Sequence, residues 1–128
     1  MHPPESRILI VDDAQSVREG LRWLIEDETG LTVVGDAPTG LDAIKQAMEL
    51  KPDLVILDIE LTDTDGFAVT RQLKALPDPP RVILLSVHGD DVYKQRGMDA
   101  GCDAYVEKGS GWTQLLSVLR KVIADNPR

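Results

Sequence analysis

The chain alternates between two hydrophobic periods. Short, nearly continuous apolar runs recur: "RILIV" at 7–11, "LTVVGDA" at 31–37, "DLVIL" at 53–57, "RVILLS" at 81–86 and "DAYVE" at 103–107. Runs of this length and this Val, Ile and Leu content read as strands. Between them, apolar residues fall three and four apart. Ala14, Val17, Leu21, Leu24 and Ile25 form one such stripe, Leu41, Ile44 and Met48 a second, and Val69, Leu73 and Leu76 a third. Leu115, Leu116, Leu119, Val122 and Ile123 make a wide last face. Each stripe predicts a helix with one side on a core. The segment 90–99 is the weakest helix, with only Val92, Tyr93 and Met98 large and apolar.

Punctuation agrees with this reading. Thr39, with Asp42 three residues on, offers an N-cap. Lys51-Pro52 ends the second helix, because a residue before proline avoids the helical region. Prolines 77, 79 and 80 stop the third. Gly101 sits where a left-handed C-terminal cap fits, and Ser110 offers a cap to the last helix. Strands and helices thus alternate five times. Strands this apolar are buried on both faces, which implies a parallel sheet covered by helices. Right-handed crossovers place helices on both sides. Ligands of such sheets bind beyond the strands' carboxyl ends, near the switch in strand order.

The residues at those ends make a short list. The first strand runs into Asp12 and Asp13, the third into Asp58, the fourth into Ser86 and the fifth into Lys108. The second strand ends in Asp36-Ala37, but it belongs at the edge, away from the crevice. Two carboxylates about 4 Å apart repel by roughly 4 kcal/mol at an effective dielectric of 20. Three of them need protons or cations, and Lys108 supplies one charge. A hard divalent cation with oxygen ligands fits the remainder. Magnesium suits best, because it accepts one or two carboxylates with waters and a phosphate oxygen. A carboxylate beside magnesium, an ammonium and a hydroxyl is in turn a good phosphoryl acceptor.

Composition narrows the classes without choosing among them. The 14 basic and 22 acidic residues give a net charge of −8, which disfavours nucleic-acid binding through a broad basic face. The one cysteine, Cys102, permits no internal disulfide and points to a reducing compartment. No apolar run approaches the ~20 residues of a membrane span. "MHPPESR" is not a secretory signal. A cytoplasmic location, with no membrane and no direct nucleic-acid contact, is the expectation.

The pieces "ILIVDD", "PDLVILDIEL", "DG" at 65–66, "VILLS" and "AGCDAYVEK" occur in order at suitable spacings. In them the chain resembles the receiver domain of two-component response regulators. "VVGDAPTGLDAI" and "LLSVHGDD" are most similar to the NarL/LuxR-type subgroup. The fold class implied is α/β: a (βα)5 doubly wound, flavodoxin-like domain with a five-stranded parallel sheet in order 2-1-3-4-5. It would be a single domain over 1–128, with a core at about 6–124.

The resemblance also implies roles. Asp58 would be the phosphoacceptor, served by a histidine kinase or phosphotransfer domain. Asp13, Asp58 and the backbone carbonyl of Glu60 would hold Mg2+, with Asp12 acting through water. Ser86 and Tyr105 would form the switch, and Lys108 would pair with a phosphate oxygen. Glu60 and His88 are candidates for tuning the lifetime. The fourth helix, fifth strand and fifth helix would form the surface for a homodimer or a downstream effector. Thr62 and Gly109 stand where the family usually has prolines. This implies a looser loop after the third strand, a trans bond after Lys108 and a less certain reach for that lysine.

Plainer readings stand beside these. Asp12-Asp13 alone reads as a solvated turn, Lys108 as a surface lysine and His88 as an exposed loop residue. Asp63 and Asp65 read as loop carboxylates, with Asp65 a cap for the third helix. Trp23 falls off its helix's stripe and is read as packed on neighbouring stems. Two other functions compete: a phosphohydrolase like the haloacid dehalogenases, to whose signature "DIELT" is a near miss, and a binding module that does not use phosphate, such as a flavin carrier. Acids in "VDDAQSV" oppose the flavin form.

Overall fold

The computed structural model describes residues 5–125; the first part of "MHPPESR" and the final Asn126-Pro127-Arg128 lie outside the described residues. The elements are β1 (Ser6–Val11), α1 (Gln15–Glu26), β2 (Leu31–Ala37), α2 (Gly40–Leu50), β3 (Leu54–Asp58), α3 (Gly66–Lys74), β4 (Arg81–Ser86), α4 (Asp91–Ala100), β5 (Ala104–Glu107) and α5 (Trp112–Asp125). The five strands form one sheet in the order β2-β1-β3-β4-β5, every neighbouring pair parallel. The expected (βα)5 architecture and strand order are therefore present.

Strand alternation divides the core in two. Leu9, Val11, Val55, Leu57, Val82 and Leu84 face α2, α3 and α4, where they meet Ala43, Phe67, Val69 and Leu73. Ile8, Ile10, Leu54, Ile56, Ile83 and Leu85 face α1 and α5, where they meet Leu21, Ile25, Leu115 and Leu119. Every residue of β3 and β4 is buried. Both faces being covered explains why these strands read as unbroken apolar runs. Truncating one fully buried leucine or isoleucine here costs about 2–5 kcal/mol.

Several caps sit where the sequence puts them. The Thr39 hydroxyl accepts from the Asp42 amide at 3.1 Å, and Asp65 accepts from the Ala68 amide at 2.8 Å. Lys51 ends α2 in the left-handed region at φ 50°, and Gly101 does the same for α4 at φ 102°.

Three expectations about helix faces need correction. In α2, Leu41 and Met48 point outward, 77% and 59% exposed; Gly40, Ala43 and Ala47 make the buried face, with Ile44 packed beside them. Small residues win because α2 lies close against its neighbours: a Cβ on Gly40 would run into the methyl groups of Thr64 and Val69. In α4, Val92 and Met98 are likewise exposed, and Gly97 and Ala100 are buried. A Cβ on Gly97 would come within 3.1 Å of both Leu84 and Tyr105, so this helix is seated by lacking a side chain. Ser110 does not cap α5. It belongs to a 3-10 turn at Lys108–Ser110, and its hydroxyl donates to the Glu107 carbonyl at 2.6 Å.

Candidate functional site

The carboxyl ends of β1, β3, β4 and β5 converge. Asp12 follows Val11, Asp58 closes β3, Ser86 closes β4, and Lys108 follows β5. Asp12, Asp58 and Ser86 are buried, whereas Asp13 is exposed. Asp12, Asp13 and Asp58 each offer a carboxylate oxygen within 4.8 Å of the others. Lys108 Nζ donates to Asp58 Oδ2 at 2.9 Å and lies 3.4 Å from Asp12 Oδ2. Gly109 therefore does not prevent the lysine from reaching the acids.

Each acid is fixed by its own backbone surroundings. Asp12 Oδ1 accepts from the Ala14 amide at 2.9 Å, and Asp58 Oδ1 accepts from the Glu60 amide at 3.0 Å. Burial pushes the Asp12 carboxyl above its usual range, and the neighbouring Asp58 charge adds to the push; the Ala14 amide and Lys108 offset only part of it. Burial works against the Lys108 charge, but its bond to Asp58 and the two carboxylates beside it hold the ammonium above its usual value. The pocket is thus short of positive charge. Three mutually close oxygen donors from carboxylates, one of them open to solvent, suit a hard divalent cation.

A second group of residues stands over this pocket. Ser86 Oγ accepts from the His88 amide at 2.9 Å, and the Tyr105 hydroxyl donates to the His88 carbonyl at 2.6 Å. The His88 ring lies 3.0 Å from Glu60 through Nε2 and stacks on Tyr93 of α4, with centroids 4.1 Å apart and planes 8° apart. Tyr105 is half-buried with its hydroxyl bonded to protein, and burial raises its pKa. His88 is therefore more than a solvated loop residue, because it touches the exits of β3 and β4 and the first turn of α4.

Two contributors escaped the sequence reading. Arg18 donates to the Asp12 carbonyl at 2.6 Å and to Asp36 Oδ2 at 2.9 Å, so it pins the β1 exit from α1. Asp63 accepts from the amides of Gly40 and Leu41 at 2.9 and 3.0 Å, and those bonds hold its carboxyl below the usual range. Asp63 is thus an exposed loop carboxylate, as read, that also clamps the N-terminus of α2. With the Glu60–Asp65 bridge and the Gly66 amide on the Ile59 carbonyl at 2.8 Å, it holds the loop carrying Thr62 at both ends. These contacts brace the loop at the place where the missing proline implies looseness. Neither contact leaves a local signal, because its partner lies 18 or 22–23 residues away.

Cys102 is buried, and burial, with the Asp103 charge beside it, pushes its thiol up to about 11, as for an unreactive thiol. Trp23 differs from expectation. It is 84% exposed and does not pack on neighbouring stems.

A doubly wound parallel sheet with an acidic pocket, a lysine and a serine at its carboxyl edge defines a class of signalling domains, and comparison with known proteins gives the family. The family described as the response regulator receiver domain matches residues 8–120. The chain belongs to that family: it is a receiver domain of the two-component response regulators, a phosphorylation-dependent signalling module. It is 36% identical to the response regulator GacA of Pseudomonas aeruginosa over 118 residues, covering 92% of this chain and 55% of GacA. It is 34% identical to VraR of Staphylococcus aureus over 115 residues, covering 90% of this chain and 55% of VraR. The chain thus spans about half the length of these relatives. Among solved structures, a LuxR-family response regulator from an Aurantimonas species superposes with a TM-score of 0.90 at 30% identity, over 95% of this chain and 87% of that one. The response regulator domain of Thermotoga maritima CheB gives 0.87 at 27%, over 96% and 99%. The phosphohydrolase reading gains no support. Its second acid would be Glu60, whose side chain turns outward to His88. Among the described residues, no helix is long and apolar enough to cross a membrane.

Proposed function

We propose that Asp58 accepts a phosphoryl group from the phosphohistidine of a histidine kinase or phosphotransfer domain, and that Ser86 transmits the change to α4, β5 and α5. The observation that carries this is the convergence of Asp12, Asp13, Asp58 and Lys108 from the ends of three strands. Asp13, Asp58 and the Glu60 carbonyl would hold Mg2+, with Asp12 acting through water; the ion would supply positive charge to the transferring oxygens. An Asp58 carboxylate oxygen forms the new O–P bond as the donor's P–N bond breaks. Lys108, already 2.9 Å from Asp58, pairs with a phosphoryl oxygen. The Ser86 hydroxyl turns to a second oxygen and gives up the His88 amide. The loop then shifts with Tyr105 and Tyr93, both of which touch His88. Inverting a 1:99 equilibrium takes about 5.5 kcal/mol, within reach of two or three charge-assisted bonds. The domain's catalytic part is limited to its own phosphorylation and dephosphorylation. In a longer protein the moved surface would serve a homodimer or an effector, including transcriptional output. Incubation with Mg2+ and acetyl phosphate should add one phosphoryl group per chain; no mass gain would overturn the reading.

Mg2+ should also stabilise the fold. At a hundred times its dissociation constant the gain is about 2.7 kcal/mol, or roughly 10 °C in Tm. The gain should depend on pH. The Asp12 carboxyl rises above 3.8 on folding, so the folded state keeps a proton that the unfolded chain releases. Without metal, stability therefore falls as pH rises from about that value through the folded pKa. Mg2+ should restore it above that window and do little below. Asp13→Asn should remove most of the gain; thermal melts across pH with and without Mg2+ check both points.

Glu60 and His88 set the lifetime of the product. Their side chains pair at 3.0 Å beside the pocket. That closure restricts water at the aspartyl phosphate. His88→Ala should speed loss of the phosphoryl group by about tenfold, or ~1.4 kcal/mol of barrier. An unchanged decay of the mass-shifted species would remove His88 from this role.

A further inference from the structure

The edge of the sheet opposite the acid pocket carries a groove of its own. α2 and α3 both end there, and Lys51-Pro52 and the run from Leu76 to Pro80 lead back into β3 and β4. Ala47, Met48, Leu76, Pro52, Pro77 and Pro80 line a space of about 290 Å³. Proline fixes its own φ and has no N–H, so the three prolines make a stiff wall that offers no donor. The carbonyls beside it are already bonded. That of Pro80 accepts from Lys74 Nζ at 2.9 Å, and that of Lys51 accepts from Arg7 Nη1 at 2.9 Å. Met48 is 59% exposed here. Methionine is the apolar side chain that adapts most readily to varied ligands.

Two charged residues join the lining, Lys51 and Asp78. Asp78 is already engaged, whereas the Lys51 ammonium meets no carboxylate among the described residues. Lys51 adds a separate observation. Among the described residues it is the one non-glycine with a positive φ, at 50°. That conformation is strained for any residue with a Cβ. Gly101, in the same place after α4, avoids the strain. No contact of the Lys51 side chain within the domain offsets it. What lysine adds over glycine at this position is an ammonium beside an apolar groove.

We propose that this groove binds a small amphipathic carboxylic acid, with its chain or ring on Met48, Leu76 and the prolines and its carboxylate on Lys51. An apolar wall with one placed charge is the pattern of a ligand site. The size selects a small ligand, because 290 Å³ stands at the low end of the roughly 300–1,000 Å³ of such sites. A medium-length acyl chain or a single ring suits it, rather than a nucleotide. The charge selects a monoanion. One ammonium is a point charge, without the guanidinium fork or the cluster of backbone amides that phosphate recognition uses. A membrane surface is a poor occupant, because a net charge of −8 opposes anionic lipid.

This site is independent of phosphorylation at Asp58, and the test keeps the two apart. The probe is octanoate, with octylamine and butyrate beside it, and the readout is the amide chemical shifts of the whole domain. Octanoate should shift the amides of Ala47, Met48, Lys51, Leu76 and Asp78 saturably and leave those of Asp12 and Asp58 in place. Each buried methylene is worth about fourfold in affinity, so butyrate should bind at least tenfold more weakly. Octylamine, with the same chain and the opposite charge, should bind at least fivefold more weakly. Lys51→Gly should weaken octanoate about fivefold without lowering Tm, since glycine suits this φ; no folding defect imitates that pair of results. Met48→Glu, at an exposed position, should also weaken it, by setting a carboxylate beside that of the ligand. Phosphoryl uptake from acetyl phosphate, followed in the same variants, should not change. Shifts that do not saturate, equal affinity for octanoate and octylamine, or undiminished binding by Lys51→Gly would overturn the proposal. So would saturable shifts centred on the acid pocket, because they would place the ligand at the other edge of the sheet.

Discussion

Asp58→Asn is expected to abolish phosphoryl uptake while the domain stays folded. The substitution keeps shape and removes the carboxylate proposed as the nucleophile. Asp12 and Asp13 lie nearby and cannot replace it. Asp12 is buried, holds the Ala14 amide and has its carboxyl shifted toward the protonated form by burial and by the Asp58 charge. Asp13 is exposed, and no lysine or arginine contact is seen at it among the described residues. Only Asp58 combines a short Lys108 contact with an amide that fixes its other oxygen. Intact mass after treatment with acetyl phosphate and Mg2+ is the measurement, with circular dichroism as the check on folding. A full mass gain in Asp58→Asn would place the acceptor elsewhere and undo the assignment of the pocket.

Gly66→Ala is the second large effect, expected on stability and site together. A Cβ at Gly66 would lie 2.6 Å from Ile59 Cα and 2.7 Å from the Asp58 carbonyl oxygen. Both are backbone atoms, so no side chain can swing aside. The segment from Asp58 to Gly66 must move as a unit, against the Glu60–Asp65 bridge and the clamp of Asp63 on α2. The cost should be about 3 kcal/mol, at the upper end of overpacking effects. Against a total of 5–15 kcal/mol this is severe. Phosphoryl uptake should fall as well, because the Glu60 amide that holds Asp58 belongs to the displaced segment. Gly109→Ala makes the control: its Cβ would find only Glu107 at 3.9 Å, and little should change. Urea midpoints of the two variants decide the matter; equal midpoints would show that the β3 exit yields freely.

The fold and the pocket acids could be read from the chain because both are written in local pattern. Burial of β3 and β4 on both faces forces unbroken apolar runs, and a strand ending in a carboxylate displays it at the sheet's edge. Thr39, Asp65 and Gly101 were legible for a similar reason, since a cap acts within three or four residues of its own position. The faces of α2 and α4 were not, because helical spacing shows that a helix has an apolar stripe but not how near its neighbours come. Where the approach is close, glycine and alanine are buried, and Leu41, Met48, Val92 and Met98 turn outward.

By itself the sequence determined the alternation of strands and helices, the doubly wound sheet, and which acids, hydroxyl and ammonium stand at its carboxyl edge. Only the tertiary structure decided that Lys108 reaches Asp58 without a proline behind it, and that Asp63 and Arg18 brace the loops. It alone joined His88 to Glu60, Tyr93 and Tyr105, and set Met48, Lys51 and Leu76 around one groove. The physical reason is range. Periodicity and capping are settled by neighbours along the chain, whereas these contacts join residues brought together only when the helices close on the sheet.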